Sequence, residues 1–326
     1  MEILIQRPEG IYCPPGDFYI DPLRSVSRAL ITHGHSDHAR KGSKNYLCHK
    51  DSVNILKLRL GENINYQGTD YGKKMQIGNA LVSFHPAGHI LGSSQIRIEV
   101  KGEVWVISGD YKTLPDLTCP GFESVPCHVF VTESTFALPI YHWKEDSEIF
   151  KEILEFWETN RKNNLTSIIY AYSLGKTQRI LSGLKEKPGD IYLEEGGHHL
   201  TKAYEMSGVK FPEYKPISEI IHYHPKDPKP LLIIPPGSHL SPWKKQIGKY
   251  NAWFASGWIR TNKENPFSKS GFELSDHADW NGLNSSVRST NASRVIVMHG
   301  FTDTWIRYLK ESGLDAGTFP DMERKI

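Results

Sequence analysis

The chain has little cysteine and no paired cysteine motif. Cys13, Cys48, Cys119 and Cys127 are scattered through 326 residues. Without a Cys-x-x-Cys pair or a dense framework, they read as reduced thiols of a cytoplasmic protein. Long apolar runs are also lacking. No stretch approaches the roughly 18 residues that a membrane-crossing helix needs, so no membrane association is expected. The opening Met1-Glu2-Ile3-Leu4-Ile5-Gln6-Arg7 is too short and too acidic for a signal peptide. Neither sign of charge dominates: the formal net charge is +2. Overall charge therefore makes no case for nucleic acid, and such a case must come from a site. The remaining composition, 38% hydrophobic and 23% charged, is that of an ordinary globule. The length suffices for one large core or two domains.

What the chain does have is histidine in tight company. Ile31-Thr32-His33-Gly34-His35-Ser36-Asp37-His38 follows a short apolar strand through Ala29 and Leu30. A lone buried His is usually a satisfied core residue. Three imidazoles and a carboxylate this close together would each need a separate partner, and a shared cation meets all of them at once. Imidazole with carboxylate suits zinc, or manganese when oxygen donors are added.

Other strands end in the same residue types. Phe84-His85-Pro86-Ala87-Gly88-His89 places His89 in a Gly-rich turn. Val104-Trp105-Val106-Ile107-Ser108-Gly109-Asp110 ends in a carboxylate, and Val295-Ile296-Val297-Met298-His299 ends in an imidazole. Each alone is weak, since a His after a strand is more often a surface residue. Together they describe a site at one edge of a sheet.

These motifs resemble the metallo-β-lactamase superfamily. Val129-Phe130-Val131-Thr132-Glu133-Ser134-Thr135, Phe254-Ala255-Ser256-Gly257-Trp258 and Phe272-Glu273-Leu274-Ser275-Asp276-His277-Ala278-Asp279 narrow the resemblance to its β-CASP nucleases. That group includes Artemis, ribonuclease J and the pre-mRNA 3′-end endonuclease. Gly10-Ile11-Tyr12-Cys13 and Phe18-Tyr19-Ile20-Asp21-Pro22 are most similar to bacterial ligase-associated DNA exonucleases. The resemblance spans nearly the whole chain, most weakly over about 180–250.

The expected fold is α/β: a metallo-β-lactamase αββα sandwich with an inserted short β-CASP-like α/β cap. Residues 1–137 are strand-rich. Helical spacing over 146–161 and 176–184 then alternates with apolar strands at 167–171, 190–193 and 230–235, which implies a parallel sheet. The expected domains are 1–137 with 251–326, and the cap at 138–250.

Seven donors exceed what one tetrahedral ion takes. The economical assignment is two divalent ions, zinc or manganese. His33, His35 and His89 hold one, Asp37, His38 and His299 the other, and Asp110 bridges them; the resemblance implies the same division. Asp37 is also expected to orient the attacking water. His277 is expected as the acid for the leaving oxygen and Glu133 as the group fixing its tautomer, with Asp21 behind a ligating His. A capping His, an exposed Glu and an Asp-Pro turn are the plainer alternatives for these three. In Tyr172-Ser173-Leu174-Gly175-Lys176-Thr177-Gln178-Arg179, residues Ser173, Lys176 and Arg179 are expected to hold phosphates; a solvated helix face is the alternative.

The expected activity is a two-metal phosphodiesterase that trims DNA ends in repair with a DNA ligase. The expected partners are single-stranded or duplex DNA ends, an ATP-dependent DNA ligase and a helicase. An RNA-processing nuclease like ribonuclease J is the alternative. A small-ester hydrolase of the glyoxalase type fits the shared ligands but not the Glu133 and His277 motifs or the insert.

Overall fold

The computed structural model describes residues 2–224, 226–260 and 271–319. The outer limits expected for the first domain, 1 and 326, lie outside the described residues. In chain order, a first sheet runs β1 (Ile5–Arg7), β2 (Gly10–Cys13), β3 (Phe18–Ile20), β4 (Arg28–Leu30), β5 (Asn45–His49) and β6 (Asn65–Thr69), with α1 (Val53–Leu60) before β6. A second sheet takes β7 (Met75–Ile77), β8 (Ala80–Pro86), β9 (Ser94–Val100), β10 (Glu103–Ile107) and β11 (Val129–Ser134).

The chain then builds α2 (Asp146–Lys162), β12 (Thr166–Tyr170), α3 (Lys176–Gly183), β13 (Ile191–Leu193) and α4 (Glu195–Met206). It continues through β14 (Lys215–Pro216), β15 (Leu231–Ile234), α5 (Lys244–Ile247), β16 (Tyr250–Ala255) and β17 (Gly271–Phe272). Finally α6 (Trp280–Ser289), β18 (Arg294–Gly300), α7 (Thr302–Glu311) and β19 (Asp315–Gly317) return. β18 pairs in parallel with β11, so β18 and β19 complete the second sheet.

The first two sheets face each other. Alternating inward residues such as Ile11, Phe18 and Leu30 meet Val82, Phe84, Ile96, Ile98 and Trp105 in one core. The opposite face of the second sheet carries α6 and α7 through Leu283, Val287, Trp305 and Leu309. The opposite face of the first carries α1 through Leu56 and Leu60. The layers are helix, sheet, sheet, helix, as the sequence led one to expect, because each apolar face must be covered.

The third sheet, in the order β14-β13-β15-β12-β16-β17, is parallel throughout. α2 and α3 cover one of its faces. Its strands read as continuous apolar runs because both faces are buried, as in Leu231–Ile234.

The chain divides into two compact units: 1–115, 119–142 and 277–326 form one, and 116–118 with 143–276 form the other. These units divide at 142/143 and 276/277, where the sequence led one to expect 137/138 and 250/251. β16 pairs with β12 from Thr166↔Tyr250 to Tyr170↔Phe254, and β17 pairs with β16, so both strands belong to the third sheet.

Candidate metal centre and acid–base pair

The first unit gathers the expected donors where its strands end. β4 runs into the His33–His38 segment, β8 leads to His89, and β10 leads to Asp110. Two glycines make the turns: Gly88 at φ +73° and Gly109 at φ +57°. A Cβ on Gly88 would meet the Lys112 carbonyl oxygen at 2.3 Å, and one on Gly109 would meet Thr32 Oγ1 at 2.7 Å. Only glycine lets the backbone turn this tightly and deliver the next side chain.

His33, His35, His89 and Asp110 each offer a donor atom, and these atoms lie within 4.8 Å of one another. His35 Nδ1 lies 3.1 Å from both His33 Nε2 and His89 Nε2. Asp110 Oδ2 lies 3.5 Å from His33 Nε2 and 3.9 Å from His89 Nε2. A single ring nitrogen has one lone pair or one proton, so His35 Nδ1 cannot satisfy two imidazoles at once. Tetrahedral donors at zinc-like bond lengths stand about 3.3 Å apart, close to this spacing. Burial, and then the neighbouring imidazoles, push the His33 ring well below its ordinary range, so it is neutral as a ligand must be. The donor set fits a divalent cation.

The other expected set is more open. His38 Nε2 lies 3.5 Å from Asp110 Oδ2 and 3.8 Å from Asp37 Oδ2. The His299 ring centre is 6.2 Å from that of His38. Asp37 and His299 are exposed. His299 adopts φ +53°, an uncommon left-handed conformation, and its carbonyl accepts from the Ser134 hydroxyl. A cavity of about 300 Å³ is lined on this side by Asp37, His38, Asp110, Glu133 and His299.

Behind His38 stands Asp21, whose Oδ2 is 2.7 Å from His38 Nδ1 and whose Oδ1 accepts from the Thr32 backbone N–H at 2.8 Å. Burial alone would lower the His38 pKa, but the Asp110 and Asp21 carboxylates outweigh it and push the ring up to about 10. So much negative charge around one imidazole is what a cation site supplies.

Glu133, buried at the end of β11, lies 2.8 Å from His277 Nδ1 through Oε2 and accepts from the Tyr111 backbone N–H at 2.8 Å. The Thr135 hydroxyl donates to it as well. Burial opposes its charge, but His277, Thr135 and the Tyr111 amide hold its pKa below the ordinary carboxylate range. The His277 ring centre is 4.8 Å from that of His89, which sets the pair against the donor cluster. The sequence alone does not mark Tyr111 or Thr135 as partners of Glu133, since a backbone amide and a hydroxyl two residues along carry no motif.

In the second unit, Lys176 and Arg179 are not available as phosphate ligands, contrary to expectation. They are only 6% and 3% exposed. Lys176 Nζ donates to Asp276 Oδ2 at 2.6 Å. Arg179 pairs with Asp146, lies 3.4 Å from Asp116 and 3.3 Å from Asp276, and donates to the Ser275 carbonyl. Burial opposes its charge, but the hydrogen bond it donates to Asp146 and the three carboxylates raise its pKa above the ordinary value. Ser173 is half-buried in the turn before α3.

The sandwich and its His/Asp cluster define the class: an αββα protein with a metal-type donor site at the strand ends. No protein-family model matches the chain. A probable DNA ligase of Opitutus terrae is 28% identical over 322 residues, 96% of this chain, but the match covers 30% of that protein. An RNase J-like protein of Methanocaldococcus jannaschii is 27% identical over 213 residues, 56% of this chain and 50% of its own length. RNase aCSPSF2 of Saccharolobus solfataricus is 29% identical over 153 residues, 45% of this chain and 30% of its own length. A crystal structure of a protein of unknown function from Enterococcus faecalis superposes with a TM-score of 0.62 at 11% identity, covering 89% of this chain and 78% of that one, which bears on fold alone. By motifs and relatives together, the chain is similar to the β-CASP group of the metallo-β-lactamase superfamily, and the ligase match agrees with its likeness to the ligase-associated branch.

Proposed function

We propose that the chain is a metal-dependent phosphodiesterase that trims DNA ends. The observation that carries this reading is the Glu133–His277 pair beside the His33, His35, His89 and Asp110 cluster, with Asp110, Glu133 and His277 donor atoms within 4.8 Å of one another. His33, His35 and His89 would hold one divalent ion and Asp37, His38 and His299 a second, with Asp110 a donor available to either set. Bound zinc or manganese would supply the charge that acidifies a water near neutral pH and offsets the phosphate. Asp37 orients that water. Glu133 keeps the proton on His277 Nδ1 in the neutral ring, and the protonated ring donates from Nε2 to the leaving oxygen. Asp21 holds the His38 ring in register.

The second unit acts as the β-CASP-like cap, the part that the resemblance implies clamps nucleic acid, with Ser173 as a contact. DNA is favoured because the match to a probable DNA ligase runs over 96% of this chain. We accordingly propose a cytoplasmic role in repair beside an ATP-dependent ligase and a helicase. Among the described residues no helix is long and apolar enough to cross a membrane. RNA is the second reading, supported by the RNase J-like relative. A small-ester hydrolase of the glyoxalase type has no use for the Glu133–His277 pair.

The test is purified protein with manganese or zinc and end-labelled single-stranded DNA, duplex DNA and RNA. Stepwise shortening of DNA is expected. Cleavage of RNA alone selects the second reading, and no cleavage of any of the three overturns the proposal.

A further inference from the structure

The second unit carries two large exposed aromatics at one edge of its sheet. Tyr172 exposes 64% and Trp258 44% of its surface. β12 and β16 are adjacent and parallel, ending in register at Tyr170↔Phe254. Tyr172 follows the end of β12, and Trp258 follows the end of β16. Both therefore lie beyond the carboxyl ends of neighbouring strands, where open parallel sheets bind their ligands.

Neither residue sits on a slack loop. The Tyr172 carbonyl accepts from the Thr177 backbone N–H at 3.1 Å and from the Thr177 hydroxyl at 2.8 Å. The Trp258 backbone N–H donates to Ser256 Oγ at 3.2 Å. Lys176 Nζ lies 5.2 Å from the Tyr172 ring centre and is itself held by Asp276. A cation against one face of the ring steadies it and leaves the opposite face for a planar ligand. The neighbouring residues are small or apolar: Ser173, Leu174 and Gly175 after Tyr172, and Ser256 and Gly257 before Trp258. Neither of these short segments contributes a carboxylate that would repel phosphates.

We propose that Tyr172 and Trp258 form a stacking platform for the bases of a single-stranded nucleic acid. The proposal rests on the nucleic-acid reading above and adds the subsite. Stacking on aromatic side chains tolerates any base and needs bases that are not already paired in a duplex. This gives the second unit a means of holding a strand that does not depend on net charge, in place of the Lys176 and Arg179 contacts that burial removes.

The experiment measures binding of a fluorescent oligothymidylate in chelator, so that no cleavage intervenes. Tyr172→Ala and Trp258→Ala should each weaken binding about 5- to 150-fold, the range for losing one stacked base. Tyr172→Phe and Trp258→Phe should bind like the parent, because they keep a π face. Tyr172→Leu and Trp258→Leu keep bulk without one and should fail as alanine does. An abasic strand of equal length should bind the parent weakly, and duplex more weakly than single strand. Alanine variants that bind oligothymidylate like the parent, or an abasic strand that binds as tightly, would overturn the platform. Binding with this pattern but no cleavage in metal counts against the nuclease reading alone; cleavage with unaltered binding by the alanine variants counts against the platform alone.

Discussion

Glu133 and His277 stand 144 residues apart in the chain, yet Glu133 Oε2 lies 2.8 Å from His277 Nδ1. β11 brings one, and the turn into α6 brings the other. Because the carboxylate is buried and ionised, it settles which ring nitrogen keeps the proton, and so which one faces the chemistry.

For this pair, His277→Ala should slow cleavage by about 10²–10⁴-fold, the scale of a lost general acid. Metal content, read by elemental analysis, should stay at the parent's level. A variant stripped of metal would make His277 a ligand instead.

Asp21→Asn keeps the size of the side chain but removes the charge behind His38. Metal affinity should fall by about 10–100-fold, as when the carboxylate supporting a ligating His is lost. Competition with a chromophoric chelator reads this directly. Unchanged affinity would reduce Asp21 to a turn residue.

Asp110 lies 3.5 Å from both His33 Nε2 and His38 Nε2. Asp110→Ala should therefore cost occupancy of both ions as well as activity. Two ions per chain at saturation are expected for the parent, and dialysis against a chelator should abolish cleavage until metal returns. One ion per chain, with Asp110 dispensable, would end the two-ion assignment.

Arg179 faces Asp116, Asp146 and Asp276 in a buried network. Arg179→Met should lower the stability of the second unit by about 3–5 kcal/mol, because uncompensated carboxylates remain buried. Denaturant unfolding followed by aromatic signals of that unit measures the loss. If the variant unfolds like the parent but shows a weaker salt dependence of DNA binding, Arg179 is a phosphate contact after all.

Candidate donor types and the periodicities are legible in the sequence alone. The cluster from His33 to His38, and the Gly-His and Gly-Asp turns at His89 and Asp110, are legible because ligand type and strand-end glycine are local properties. Helix α2 and strand β15 are legible for the same reason, since a repeat near 3.6 or an unbroken apolar run needs no distant information. The fold, not the sequence, buries Lys176 and Arg179. Lys and Arg at a helix start are ordinarily solvated, and the carboxylates that offset their burial come from Asp116, Asp146 and Asp276, scattered along the chain. It also decided that β16 and β17 join the third sheet, because a strand's pattern fixes its buried faces but not its neighbour. The open spacing around His299 is likewise not readable, since it depends on left-handed residues at the end of β18 that a His-Gly pair permits without demanding.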